Sequence, residues 1–126
     1  MNNTQKLVLT SMILTGIIMT TMPFASAEQV SVSLPQGSGA PGCEETNECW
    51  LPPSVTVNTG DTVSWDNVDT AAHTVTSGTP ADGPDGTFDS SLLMGGATFE
   101  VTFDESGSYD YFCMVHPWMV GDVQVN

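Results

Sequence analysis

Short runs in which every second residue is apolar recur from Val30 almost to the end of the chain, with turn-forming residues between them. Val30, Val32 and Leu34 alternate with polar neighbours, as do Val55 and Val57, Val63 and Trp65, then Phe99, Val101 and Phe103, then Tyr109, Tyr111 and Cys113, and last Val123 and Val125. A period of two places each set on one face of an extended strand, whereas a helix needs apolar residues three and four apart. The breaks Asn58-Thr59-Gly60-Asp61, Ser77-Gly78-Thr79-Pro80, Asp82-Gly83-Pro84-Asp85-Gly86, Gly95-Gly96 and Asp104-Glu105-Ser106-Gly107 have the composition of chain reversals. After Glu28 only Phe88 to Met94 suggests a short turn of helix. Seven to eight short strands with regular turns predict an all-β fold, a two-sheet antiparallel sandwich with Greek-key connections.

The first 27 residues have a different character. Lys6, an apolar run from Leu7 to Phe24 diluted by Thr and Ser, and the small residues Ala25-Ser26-Ala27 read as a secretory signal cut before Glu28. If retained, the run is nearly long enough to anchor the chain in a bilayer. Residues 28–126 then form a single domain of 99 residues, exported to a periplasmic or extracellular, cell-surface location. All 15 acidic residues follow Ala27, and the only basic side chain is Lys6, so this domain carries fifteen negative charges and no Lys or Arg. Nucleic acid and anionic membrane surfaces both need a cationic face and are poor partners for this domain, which would meet a membrane only through a retained signal segment. The charge suits a cationic docking partner, with association weakening as salt rises, or solubility in a saline medium.

Three cysteines in an exported chain leave one thiol outside a simple pair. Cys43 and Cys49 flank Glu44 to Glu48 in a Gly- and Pro-rich stretch, and they are the natural disulfide in an oxidising compartment, closing a loop over 35–50. Cys113 is then left over. A second pairing is open: Cys49, Trp65 and Tyr111-Phe112-Cys113 fit the spacing of an immunoglobulin-type core, with a Cys49–Cys113 bridge and a non-metal binding module as the result. That arrangement strands Cys43 and gives no task to His116 or Met119.

A metal gives all of them one. Cys113, His116 and Met119 follow a C-x-x-H-x-x-M spacing where a strand runs into a turn at Pro117, and the only other histidine is His73, 40 residues earlier. A sandwich brings such positions together. Two imidazoles, a thiolate and a thioether form the set that suits copper, three donors in a plane with a weak axial sulfur, while zinc more often recruits another Cys or a carboxylate. Asp82, Asp85 and Asp89 lack the oxygen-ligand spacing of a calcium loop and read as a solvated acidic turn.

At these residues the chain resembles the cupredoxins, the blue-copper proteins of the plastocyanin and azurin type. Gly107 to Cys113, His116-Pro117-Trp118-Met119 and Gly121-Asp122-Val123 resemble the family's copper loop, and the two-residue gap between His116 and Met119 is most similar to its amicyanin-like short-loop members. Asp61 to Trp65 leading to His73 resembles the first-ligand region. The resemblance covers about residues 54–126, leaving 35–50 as an insertion. It implies one type 1 copper per chain, with His73, Cys113 and His116 equatorial and Met119 axial. It also implies that Tyr109 pins a corner of the sandwich, and it sets Thr74 where many members carry Asn. The function it implies is one-electron transport between redox protein partners, not enzymatic turnover, with the electron leaving through His116 in a patch shared with Pro117 and Trp118. Copper storage or delivery would use the same ligands but favours Met- and His-rich chains. Only three methionines follow the signal, and two histidines are too few for a multicopper enzyme.

Overall fold

The computed structural model of the protein describes residues 15–16 and 26–126. The signal segment expected over residues 1–27 therefore lies almost wholly outside the described residues. Eight strands follow: β1 (Gln29–Leu34), β2 (Ser54–Val57), β3 (Thr62–Asn67), β4 (Thr76–Thr79), β5 (Gly83–Asp89), β6 (Thr98–Thr102), β7 (Gly107–Phe112) and β8 (Val120–Val125), with a single 3-10 turn at Cys43–Glu45. They form a three-stranded sheet, β1-β3-β6, stacked on a five-stranded one, β2-β8-β7-β4-β5.

The alternation seen in the sequence is the burial pattern of the strands. Val32 and Leu34 of β1, Val55 and Val57 of β2 and Val123 and Val125 of β8 all face the core. Trp65 of β3 lies at its centre, 5.3 Å from the Tyr111 ring in an edge-on contact, with Phe88 at 5.8 Å and Phe99 at 6.0 Å. Such offset and edge-on packing aligns the positive rim of one ring with the negative face of another. The Tyr109 hydroxyl donates to the Glu105 carbonyl at 2.8 Å, fastening the turn before β7.

Three details depart from expectation. The sandwich is mixed rather than antiparallel, since β1 runs parallel to β3 and β2 parallel to β8. The chain leaves one sheet, adds a strand to the other and returns, which restores its original direction, and a period of two carries no direction. Residues 76–79 and 83–89, whose Gly and Pro content suggested turns, form a hairpin at a sheet edge. Thr76 and Ser77 are buried there, and the Ser77 hydroxyl accepts the Phe88 N–H at 2.8 Å, so polar side chains replace the apolar signature. Pro84 is tolerated because β5 is an outer strand. Finally, no helical turn forms over 88–94: the chain leaves β5 at Asp89, and Leu93 instead bridges to His73.

Asp61 ties the start of the domain to the turn before β3. Its carboxylate accepts the N–H groups of Glu28 and Asn58, each at 2.8 Å, and these two donors hold its pKa below the usual carboxylate range against the opposing effect of burial. A carboxyl whose folded pKa is depressed contributes stability above its unfolded value of about 3.9 and loses it as the pH falls through the folded value. The wild-type melting temperature should therefore drop more steeply below about pH 4 than that of Asp61→Asn, with the two curves converging in acid. Parallel curves would remove Asp61 from this role.

Candidate metal centre

His73 precedes β4, and Cys113, His116 and Met119 lie in the turn between β7 and β8. Pairing of Thr76 with Phe112 and Ser77 with Tyr111 sets β4 against β7, and this contact delivers His73 to Cys113 across 40 residues of sequence. His73 Nδ1 lies 3.0 Å from His116 Nδ1, and the Cys113 Sγ is 3.8 Å from the first and 3.6 Å from the second. These three residues form one cluster with the spacing of metal donors. An ion bound at about 2.0–2.3 Å from nitrogen and thiolate sulfur holds its neighbouring donors about three to four ångströms apart, so this triangle fits a single ion. His73, Cys113 and Met119 are fully buried, and His116 is half-buried.

Backbone hydrogen bonds fix the donors in place. His73 exchanges two with Leu93, at 3.0 and 2.7 Å, which holds its backbone against the 90–95 segment. The Cys113 N–H donates to the Met119 carbonyl at 3.1 Å and the Met119 N–H to the His116 carbonyl at 2.9 Å, closing the ligand turn on itself. The Thr74 N–H points at the Cys113 sulfur at 3.2 Å, and the Thr74 hydroxyl accepts the Met114 N–H at 2.8 Å. Thr74 thus joins the His73 segment to the turn following Cys113.

Electrostatics prepares the donors for a cation. Burial by itself would raise the Cys113 pKa, but the His73 ring and the N–H groups of Thr74, His116 and Val115 outweigh it and hold the thiol below its usual value. Burial, then the neighbouring His73, pushes His116 down and favours its neutral form. Burial opposes protonation of His73 too, yet Cys113 and Asp69 on its two sides outweigh it and raise the pKa. A metal needs the thiolate and imidazoles with a free nitrogen lone pair, so binding one is coupled to loss of the Cys113 thiol proton.

Cys43 is bonded to Cys49, and Cys113 is free and buried. The immunoglobulin-type pairing of Cys49 with Cys113 is thereby overturned. Trp118 is half-buried, its ring 5.3 Å from that of His116 and its indole N–H donating to the Ser38 carbonyl at 3.2 Å, while Pro117 is exposed. Asp85 and Asp89 turn to hydrogen bonds with Thr87 and Ser91 of their own turns, as a solvated acidic segment does.

Two site residues escaped sequence reasoning. Buried Asn67 donates to the carbonyls of Ala71 and Leu93, both at 2.9 Å, and so shapes the loop that presents His73. Asp69 Oδ2 accepts from the outer ring nitrogen of His73, Nε2, at 2.8 Å. An Asp four residues before a His carries no signal outside a helix, so only the folded loop reveals the contact.

Fold and site together define a small β-sandwich in which one Cys and two His bring metal-ligating atoms together, with Met119 buried in the same turn. The sequence model of the copper binding proteins, plastocyanin/azurin family, matches residues 41–126, and the chain belongs to that family. It is similar to the amicyanin of Paracoccus versutus, 40% identical over 76 residues that make up 60% of this chain and 57% of that one. It is 31% identical to the amicyanin of Paracoccus denitrificans over 103 residues, 82% of this chain and 72% of the relative. Among solved structures, a novel purple cupredoxin from Nitrosopumilus maritimus superposes with a TM-score of 0.69 at 31% identity, covering 77% of this chain and 99% of that one. The match to the P. versutus protein thus spans under two thirds of that relative's length. The family binds copper, and the donor set fits it: soft sulfur with imidazole, largely buried.

Proposed function

We propose that the protein is an exported type 1 copper protein that carries single electrons between redox partners and is not itself an enzyme. His73, Cys113, His116 and Met119 would hold the copper. The observation that carries this reading is the triangle of His73, Cys113 and His116 donor atoms, with edges of 3.0, 3.8 and 3.6 Å, assembled from two distant segments and buried at one end of a stiff sandwich. Copper, when bound, supplies a one-electron couple. The chain's residues hold that site still: the Leu93 bridge fixes His73, the Thr74 N–H faces the Cys113 sulfur, and the Cys113–Met119 hydrogen bond keeps the ligand turn closed. Rigid donors limit rearrangement between oxidation states, and that lowers the barrier to exchange.

His116 is the only one of the four ligands that reaches the surface, and exposed Pro117, Met114 and Val115 belong to the same turn. This apolar rim lets a partner approach the imidazole edge without stripping water from charges. Fifteen acidic side chains elsewhere favour a cationic partner. Residues 28–126 form the exported domain once the signal is cut before Glu28, and 35–50 is a disulfide-closed insertion. Burial of three of the four ligands supports a carrier over a storage or delivery protein, whose metal must exchange readily.

Copper(II)-loaded protein should show an intense visible thiolate band, narrow copper hyperfine splitting in EPR and a reversible one-electron couple. Electron exchange with a small cationic redox protein should slow as salt is added. A colourless copper complex, or one with no reversible couple, would sink the reading.

A further inference from the structure

Asp69 is almost fully buried, and both of its carboxylate oxygens are occupied by donors from three directions. Oδ1 accepts the N–H groups of Gly37 at 3.1 Å and Thr70 at 2.8 Å; Oδ2 accepts that of Gly39 at 3.1 Å and faces His73 Nε2 at 2.8 Å. The segment that supplies Gly37 and Gly39 runs straight into the ring closed by Cys43–Cys49, and the Cys43 Sγ lies 3.8 Å from the Ser38 carbonyl between those glycines. It is seated against the same site elsewhere, since Ser38, buried between those glycines, receives the Trp118 indole N–H. The approach is close: a Cβ on Gly39 would stand 3.0 Å from the Ala71 methyl, 3.2 Å from Asp69 Oδ2 and 3.5 Å from His116 Cε1. The insertion therefore lies against His116 directly and reaches His73 through Asp69.

We propose that Asp69 is a positioning residue of the metal centre, clamping His73 to the loop that leads into the Cys43–Cys49 bridge so that this loop sets the orientation and basicity of the first metal ligand. The proposal rests on the metal-site reading above. Its chemistry follows from the donor count. A carboxylate in place of Nε2 solvation fixes the tautomer with the proton on Nε2 and leaves Nδ1 to face Cys113 and His116, as outer partners of ligating histidines generally do. Its negative charge also makes the ring a stronger donor and favours the more highly charged oxidation state of a bound ion. Donors converge on both carboxylate oxygens and leave no acceptor nearby for a carboxyl proton, so Asp69 is held in its charged form by geometry.

Asp69→Asn tests this, because an amide offers one oxygen where four donors need two, and whichever way it turns, its NH2 meets N–H groups. In the metal-free protein, hydrogen exchange at Gly37 or Gly39 should accelerate by about tenfold or more, the scale of a lost hydrogen bond to a charged group. The ring ¹⁵N shifts of His73 should show loss of the single tautomer. In the copper form the blue band should persist while the reduction potential rises. Opening the disulfide with the Cys43→Ser, Cys49→Ser pair should shift the potential in the wild-type background and shift it far less in the Asp69→Asn background, since coupled residues are not additive. Unchanged amide exchange and an unchanged His73 tautomer in Asp69→Asn, or fully additive potentials in the double cycle, would overturn the clamp. Should the disulfide variant not fold, the exchange and tautomer measurements on Asp69→Asn decide the matter alone. Those two need no copper, so a colourless wild type would defeat the copper reading without touching the clamp.

Discussion

Cys113→Ser should yield a protein that stays colourless with copper(II) and has lost most of its affinity for it. The thiolate is the soft donor that distinguishes this site from an ordinary two-histidine site, and it is the origin of the intense visible band. A serine hydroxyl keeps its proton near neutral pH, so it offers neither the charge nor the polarisable sulfur. Loss of an outer partner alone costs about 10–100-fold in metal affinity, and losing a ligand should exceed that. The fold should survive. Cys113 is fully buried, but serine is slightly smaller and its oxygen can still accept the Thr74 N–H that now faces sulfur at 3.2 Å. The metal-free variant should therefore melt within a few degrees of wild type while its copper titration collapses. Met119→Leu is the contrast: it preserves buried volume and all three remaining ligands, so colour should persist with a raised potential. A blue Cys113→Ser protein would exclude Cys113 as the thiolate ligand.

Trp65→Ala should cost about 3–5 kcal/mol, the range for emptying a large aromatic site in a core. Trp65 has no exposed surface, stands on the central strand of the smaller sheet and touches Tyr111 of the larger one, so its indole is a principal filler between the two layers. Phe88 and Phe99 pack on it at 5.8 and 6.0 Å; Phe99 is paired with Trp65 in the sheet and the Phe88 backbone is tied to the Ser77 hydroxyl, so neither can close the void by moving inward. Domains of this size are stable by about 5–15 kcal/mol, so the loss takes a large share of the total. Urea unfolding of the metal-free protein measures it, and a cost below about 1 kcal/mol would show that the sheets collapse onto the gap. Copper should rescue the variant in proportion to the logarithm of its free concentration, because the ion binds the folded chain far more tightly than the unfolded one.

Much of the fold was legible because burial acts locally. Alternation along Val30-Val32-Leu34 or Val123-Val125 declares a strand with one inward face whatever its neighbours are, and the structure buries these residues as the pattern requires, with only Val30 partly exposed. The ligand turn was legible because Cys113, His116 and Met119 are near in sequence and leave little room for another chemistry. The β4–β5 hairpin was hidden because Thr76 and Ser77 are buried through hydrogen bonds rather than apolar surface. The parallel pairings of β1 with β3 and β2 with β8 were hidden because alternation is blind to chain direction.

The sequence by itself determined the all-β class, the acidic surface and which side chains could serve a soft metal ion, since each depends on residue type and short spacing. Only the tertiary structure decided that Cys43 joins Cys49 and leaves Cys113 free, that His73 arrives within 3.8 Å of that sulfur, and that Asp69 and the loop beyond it stand behind the imidazole. Those contacts join residues tens of positions apart, and their distances are set by how two sheets stack and how strands pair.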